Sequence, residues 1–214
     1  MIPYDKRSGK IWYNNELVDW SDAKIHILNH GLHYASCVFE GERVYEGSIF
    51  KLEEHTSRLF YSAKRMGITI PYTEKEINLA CNKIISIQNV QNGYVRPMIW
   101  RGSEMMAISA QQTKIHVAVA TWEWGSYFDP KLKVEGIRLN ISNWRRPAPN
   151  TIPWDTKASG LYMICTLSKH EILHSTNLLI RHCTIFCQIF CRKVSFMKNK
   201  NITEKYLCIY NMSI

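Results

Sequence analysis

Turn-forming residues in this chain stop well before the chain does. All ten glycines lie at or before Gly160, all seven prolines at or before Pro153 and all seven tryptophans at or before Trp154. Glycine and proline supply the positive or fixed φ angles that tight connections need, so a fold with short turns can be built only ahead of that point. Charge divides at the same place: residues 1–171 hold 21 Lys+Arg against 17 Asp+Glu, whereas residues 172–214 hold six basic residues against Glu204 alone. The net charge of +9 is therefore concentrated in the tail and does not describe a basic face on a folded domain. No nucleic-acid partner is expected, and a boundary is expected near residue 172.

Ahead of that boundary, local patterns specify elements. In "IWYNNELV", Asn14-Asn15 separates two short β-rich runs, and in "VFEGERVYEGSIFKL" Glu46-Gly47 does the same, so both predict hairpins. "EEHTSRLFYSAKRMG" places Leu59, Phe60, Ala63 and Met66 on one helical face and ends at Gly67, a suitable left-handed cap. Thr73 with Glu76 forms a capping box for a second helix bearing Ile77, Ala80, Cys81, Ile84 and Ile85. Strands follow from Tyr94 and Ile115, and the alternation of Ile137, Leu139 and Ile141 predicts another. The class is α+β, and 46% hydrophobic content suffices to bury its core. Neither a signal peptide nor an apolar stretch of membrane-spanning length is present, and Cys37, Cys81 and Cys165 are spaced as reduced, buried thiols, so no membrane is expected and the cytoplasm is the expected location.

Two segments compete for the chemistry. Lys157 follows the proline-rich "RRPAPNTIPWDT" and precedes the largely apolar Leu161 to Leu167, with Asp155 or Thr156 able to cap a helix. A lysine in the first turn of a buried helix has its ammonium form disfavoured by the macrodipole and by desolvation, which leaves a nucleophilic amine. The plain alternative is a surface lysine snorkelling to solvent. The other segment, His170-Glu171-Ile172-Leu173-His174, has zinc-protease spacing. A third ligand is poorly supplied, because Ile180 stands six residues after His174, the sole later carboxylate is Glu204, and Lys169 adds repulsion. Cys183, Cys187 and Cys191 near His182 are read as coincidence in a cysteine-rich tail, and His26, His30 and His33 as packed or hydrogen-bonded core histidines.

Several segments taken in order decide between the two. "IWYNNELVDWSDAKIHILNHGLHYASCVFEGERVY", "FKLEEHTSRLFYSAKRMG", "GYVRPMIWRG" and "SNWRRPAPNTIPWDTKASGLY" together resemble the class IV aminotransferases, the fold-type IV pyridoxal-phosphate enzymes, over about residues 11–171. Within that family they are most similar to its branched-chain amino-acid branch. The resemblance implies a small N-terminal α/β domain over 1–123, a linker over 124–135, and the start of a larger β-barrel-like cofactor domain over 136–171, with 172–214 as a divergent basic tail. It implies pyridoxal 5'-phosphate as cofactor. Lys157 matches the Schiff-base lysine, Arg58 the arginine that clamps the cofactor phosphate, and Tyr162 the tyrosine bonded to the ring's phenolic oxygen. Tyr34, Phe39, Gly41, Trp124 and Tyr127 match positions lining the side-chain pocket, and Tyr94 with Arg96 matches the pair associated with the substrate carboxylate.

What the resemblance implies is amino transfer between leucine, isoleucine or valine and 2-oxoglutarate, in a homo-oligomer. Beyond Glu171, however, "ILHSTNLLIRHCTIFCQIFCRKVSF" shows neither the glycine-punctuated region carrying the glutamate that pairs with the pyridine nitrogen nor the later segments that complete the phosphate site. A truncation or frameshift near residue 172, weakening or abolishing activity, is the expected cause. The alternative functions are a zinc-dependent hydrolase at His170, Glu171 and His174, or an inactive remnant.

Overall fold

A computed structural model of the chain describes residues 2–125, 142–174, 192–198 and 201–207. Both anticipated hairpins are present. β1 (Lys10–Tyr13) and β2 (Glu16–Asp19) pair antiparallel with Tyr13 opposite Glu16, and the two turn residues, Asn14 and Asn15, have φ of 48° and 71°. Positive φ at both positions matches the right-handed twist of the strands, and asparagine tolerates it. After the short helix α1 (His30–Tyr34) and β3 (Cys37–Phe39), the second hairpin joins β4 (Glu42–Tyr45) to β5 (Ser48–Ile49) through Glu46 and Gly47, again both at positive φ.

The two main helices also follow their local signals. α3 (Glu74–Gln88) starts at the capping box, with Thr73 Oγ1 accepting from the Glu76 N–H and the Glu76 carboxylate accepting from the Thr73 N–H at 2.7 Å, and it buries Ile77, Ala80, Cys81, Ile84 and Ile85. α2 (Leu52–Arg65) ends just before Gly67, whose φ is 65°. Its buried face differs from expectation: Leu59 and Ala63 are buried, but so are His55, Thr56 and Ser62, while Phe60 and Met66 are only half-buried. Polar groups displace apolar ones there because that face meets polar partners.

β6 (Gly93–Arg101) and β7 (Ile115–Glu123) pair along their whole length at the centre of an antiparallel sheet ordered β2-β1-β7-β6-β4-β5, with β3 also on β6. β3 covers the second half of β6 and β4 the first, so Glu40 and Gly41 fall opposite Arg96 and Pro97, between the two ladders. Pro97 has no N–H to offer the ladder, and the Glu40 N–H donates to its carbonyl at 2.9 Å. Strand alternation divides the sheet. Val38, Val44, Val95, Ile99, Val117 and Val119 are fully buried in the core that includes Leu59, Ile77 and Ile84 of the two helices. Tyr94, Arg96 and Met98 alternate with them on β6, and on that face Trp100, Ile11, Ala118 and Ala120 form a second cluster. Glu40 and Glu42 take core-side positions with no solvent exposure, where the pattern calls for apolar side chains.

The chain divides into two compact units, one of Met1–Tyr127 with Thr156–Gly160 and the other of Phe128–Asp155 with Leu161–Ile214. In the second unit, a 3-10 turn (Ser159–Tyr162, shared with the first) leads into α4 (Met163–His174), where the Ser142 and Ser168 hydroxyls bond at 2.6 Å, and β8 (Arg192–Lys198) pairs with β9 (Asn201–Leu207). The anticipated strand around Leu139, the residue Tyr127 and the cysteines 183, 187 and 191 lie outside the described residues.

Four expectations need correction. Lys157 is not in a helix: it precedes the 3-10 turn in an extended segment whose next residue, Ala158, forms an antiparallel bridge with Val38 of β3, so no helix dipole acts on it. The helix that follows is not uniformly buried either; Leu161 and Ser168 are, but Met163 is 64% exposed. Of the three clustered histidines only His30 is buried, bonded to Ser36 Oγ and the Ala107 carbonyl, while His26 and His33 are exposed and satisfied by nearby backbone. Cys37 and Cys81 are in no disulfide, as expected, but burial is not shared: Cys81 is buried, whereas Cys37 and Cys165 are half-buried.

Candidate active site

Glu40 organises the candidate site. Both of its oxygens are engaged by Arg58, three residues beyond His55 on α2: Nε donates to Oε1 at 2.6 Å and an Nη2 hydrogen to Oε2 at 2.8 Å. His55 Nδ1 lies 2.8 Å from Oε2, and the Gly41 N–H donates to the same oxygen at 3.3 Å. Burial by itself would raise the Glu40 pKa; the hydrogen bonds from Arg58 and His55, with the charges of Arg58 and Lys157, outweigh it and hold the group at about 2. An ionised carboxylate only accepts hydrogen bonds, so His55 Nδ1 carries a proton. The 3.3 Å approach of Arg58 Nη2 to that nitrogen is then a contact between two donors.

Lys157 is held by its backbone. Its N–H donates to Ser62 Oγ at 3.0 Å, one helical turn beyond Arg58, and its carbonyl accepts from the Phe39 N–H at 3.2 Å. Its Nζ stands 5.0 Å from the centroid of the Phe39 ring, and the Arg96 guanidinium carbon stands 4.6 Å from the same centroid. Two cations thus share one aromatic ring, each attracted by its quadrupole. Arg96 Nη2 reaches Tyr94 Oη at 3.5 Å, while Arg96 Nε is buried without a hydrogen-bond partner. Tyr94 packs against both Trp122 and Trp124, with centroids at 5.3 and 5.0 Å, and the two tryptophans are themselves 6.2 Å apart. Gly41 completes the arrangement, since a Cβ there would overlap Tyr94 Oη and lie 2.6 Å from the ring carbon Cζ.

Lys157, Arg58, Phe39, Gly41, Tyr94, Arg96 and Trp124 therefore all belong to the first unit and connect through Glu40, Phe39 or Tyr94. Tyr34 ends α1, 43% exposed, with its ring 4.6 Å from that of His30. Tyr162 is half-buried in the second unit. Glu40, His55 and Ser62 were missed from sequence. Their signal was legible: each is a polar residue at a position where strand or helix periodicity demands an apolar one. Glu42 carries the same signal, and burial together with the charge of Glu40 pushes it up to about 8, against the pull of Arg58. The zinc alternative gains nothing: His170 and Glu171 are exposed, the His174 side chain is outside the described residues, and no group of three metal-ligating side chains occurs among the described residues.

Lys157 and Arg96 thus meet at the Phe39 ring, and the neighbouring residue Glu40, sealed from solvent, grips Arg58. The chain belongs to the class IV aminotransferases: the model of the family described as Amino-transferase class IV matches residues 37–176. Among curated relatives it is 40% identical over 171 residues to the branched-chain-amino-acid aminotransferase of Pseudomonas aeruginosa, covering 78% of this chain and 56% of that one. It is 33% identical over 205 residues to a probable branched-chain-amino-acid aminotransferase of Rickettsia felis, covering 94% and 69%. A solved branched-chain amino acid aminotransferase from T.th., with pyridoxamine 5'-phosphate, superposes with a TM-score of 0.76 at 31% identity, covering 85% of this chain and 60% of that one. The Escherichia coli branched-chain amino acid aminotransferase superposes at 0.72 with 36% identity, covering 75% and 55%. The chain thus spans well under two thirds of the length of most of these proteins.

Proposed function

We propose that this chain carries the lysine-bearing half of a pyridoxal-phosphate-dependent branched-chain aminotransferase site, transferring an amino group between leucine, isoleucine or valine and 2-oxoglutarate. The observation that carries this reading is the convergence of Lys157 and Arg96 on the Phe39 ring, with Arg58 locked beside them by Glu40. The residues suit the cofactor: Arg58 offers a planar fork of donors for a phosphate, Lys157 a primary amine for an aldehyde, and the partnerless Nε of Arg96 a buried donor for a carboxylate.

Pyridoxal phosphate, when bound, supplies the electron-withdrawing ring that makes the Cα–H of an amino acid acidic. Lys157 Nζ would hold it and, once free, accept the Cα proton. Arg96 with Tyr94 orients the substrate carboxylate, and Phe39, Gly41, Tyr34, Trp124 and Tyr127 form the apolar lining that favours branched aliphatic side chains. By resemblance, Tyr162 would be the residue that bonds the oxygen of the cofactor ring. The working form is a cytoplasmic homo-oligomer.

The test is reductive trapping. The full chain is incubated with pyridoxal phosphate, reduced with borohydride and peptide-mapped, and its visible spectrum is followed before and after L-leucine. Label at Lys157, lost in Lys157→Ala, with a spectrum that L-leucine bleaches, is the expected result. Label spread over exposed lysines with Lys157 unmarked would refute the assignment.

A further inference from the structure

We propose that Glu40 is a positioning residue of this site, acting through the geometry it imposes on Arg58 rather than through its charge. The inference rests on the cofactor reading above. Glu40 has no solvent exposure, whereas the Arg58 side chain is 45% exposed, so the buried partner sets the orientation of the mobile one. A long arginine at a half-open surface otherwise samples many rotamers. Glu40 takes the Nε hydrogen and one Nη2 hydrogen in a two-point grip, which fixes the plane of the guanidinium and the directions of its other three N–H bonds. His55 and the Gly41 N–H hold the carboxylate in turn. The grip spans separate elements, with Glu40 between β3 and β4 and Arg58 on α2, beside Ser62, which anchors the Lys157 backbone. One carboxylate therefore sets the distance between the phosphate-facing fork and the amine that meets the aldehyde.

A charge-only role predicts the opposite behaviour. Glu40 would repel a phosphate, so neutralising it would strengthen binding, and any carboxylate at position 40 would serve equally. The two roles separate in two variants: Glu40→Gln removes the charge and replaces one acceptor oxygen by an NH2 group that cannot accept from Arg58, which breaks the two-point grip, and Glu40→Asp keeps the charge and both acceptors but shortens the reach by one methylene.

The experiment compares borohydride-trapped labelling of Lys157 in the full chain by pyridoxal 5'-phosphate and by pyridoxal, which lacks the phosphate. The readout is the ratio of the two, which a merely structural defect leaves unchanged because it lowers both labels together. Loss of a two-point charged hydrogen bond corresponds to a loss of about tenfold or more. The expected result is a phosphate preference in the parent chain that falls about tenfold in both variants, while labelling by pyridoxal changes less than about twofold. Should Glu40→Gln fail to fold, Glu40→Asp carries the comparison alone. A ratio unchanged in Glu40→Asp, or raised in Glu40→Gln, overturns the proposal while leaving the cofactor reading intact. Failure of either aldehyde to mark Lys157 in the parent chain overturns the cofactor reading and this inference with it.

Discussion

Glu42 gives the sharpest prediction, because nothing compensates its burial. It sits on β4 beside Val44 and opposite Val95, with no solvent exposure and neither oxygen hydrogen-bonded. The charged or titratable groups that act on it or on which it acts are Glu40, Arg58 and Cys81, and Cys81 itself is raised, first by burial and then by Glu42. With a folded pKa of about 8 against an ordinary 4.5, the native state holds a proton between those values that the unfolded chain has released. The native state therefore binds more protons, and stability falls as pH rises. The slope is about 1.4 kcal/mol per pH unit, and the whole interval is worth about 4 to 5 kcal/mol, a large share of the 5–15 kcal/mol (order of magnitude) typical of a domain. Stability is full below about pH 4.5 as far as this group is concerned, and its loss is complete a little above pH 8. Urea titrations followed by tryptophan fluorescence from pH 5 to about 9, at constant ionic strength, measure it. Glu42→Leu should remove the slope and exceed the parent by about 4 kcal/mol at pH 8. Histidines common to both proteins cancel in the difference. If Glu42→Leu keeps the parent's pH dependence, the carboxyl is not buried as a neutral acid and the reasoning fails.

Glu40 acts in the opposite sense. Its pKa is depressed to about 2, so its contribution of about 3 kcal/mol is present above pH 4.5 and is lost as pH falls towards 2; acid titration of Glu40→Gln should show a flattened limb. Taken together, these two carboxylates favour a stability maximum near pH 4.5. Gly41→Ala should destabilise by about 1–3 kcal/mol through displacement of Tyr94. Adding Tyr94→Phe should recover only part of that in urea titration, because ring carbon Cζ would still lie 2.6 Å from the new methyl.

The local grammar of this protein was legible without coordinates. Asn14-Asn15 and Glu46-Gly47 adopt their left-handed turns, and Thr73 with Glu76 closes its box, because each outcome depends on groups within a few residues of one another. The resemblance singled out Lys157, Arg58 and Arg96, which fall in one unit of the fold, but their surroundings were misjudged in two respects. The amine was credited to a helix dipole it does not have, and the buried acids were read merely as letters in a motif.

What the sequence determined by itself was the set of turns, caps and alternating faces, and which residue types were on offer. Tertiary structure decided what those residues became. Glu40 ionises and Glu42 stays protonated although they stand two residues apart and are equally buried, because one is hydrogen-bonded by Arg58 and His55 and the other by neither. Lys157 likewise acquires its neighbours only when a distant segment bridges to β3. Charge in a low-dielectric interior is governed by what lies within a few ångströms in space, and adjacency along the chain carries no such information.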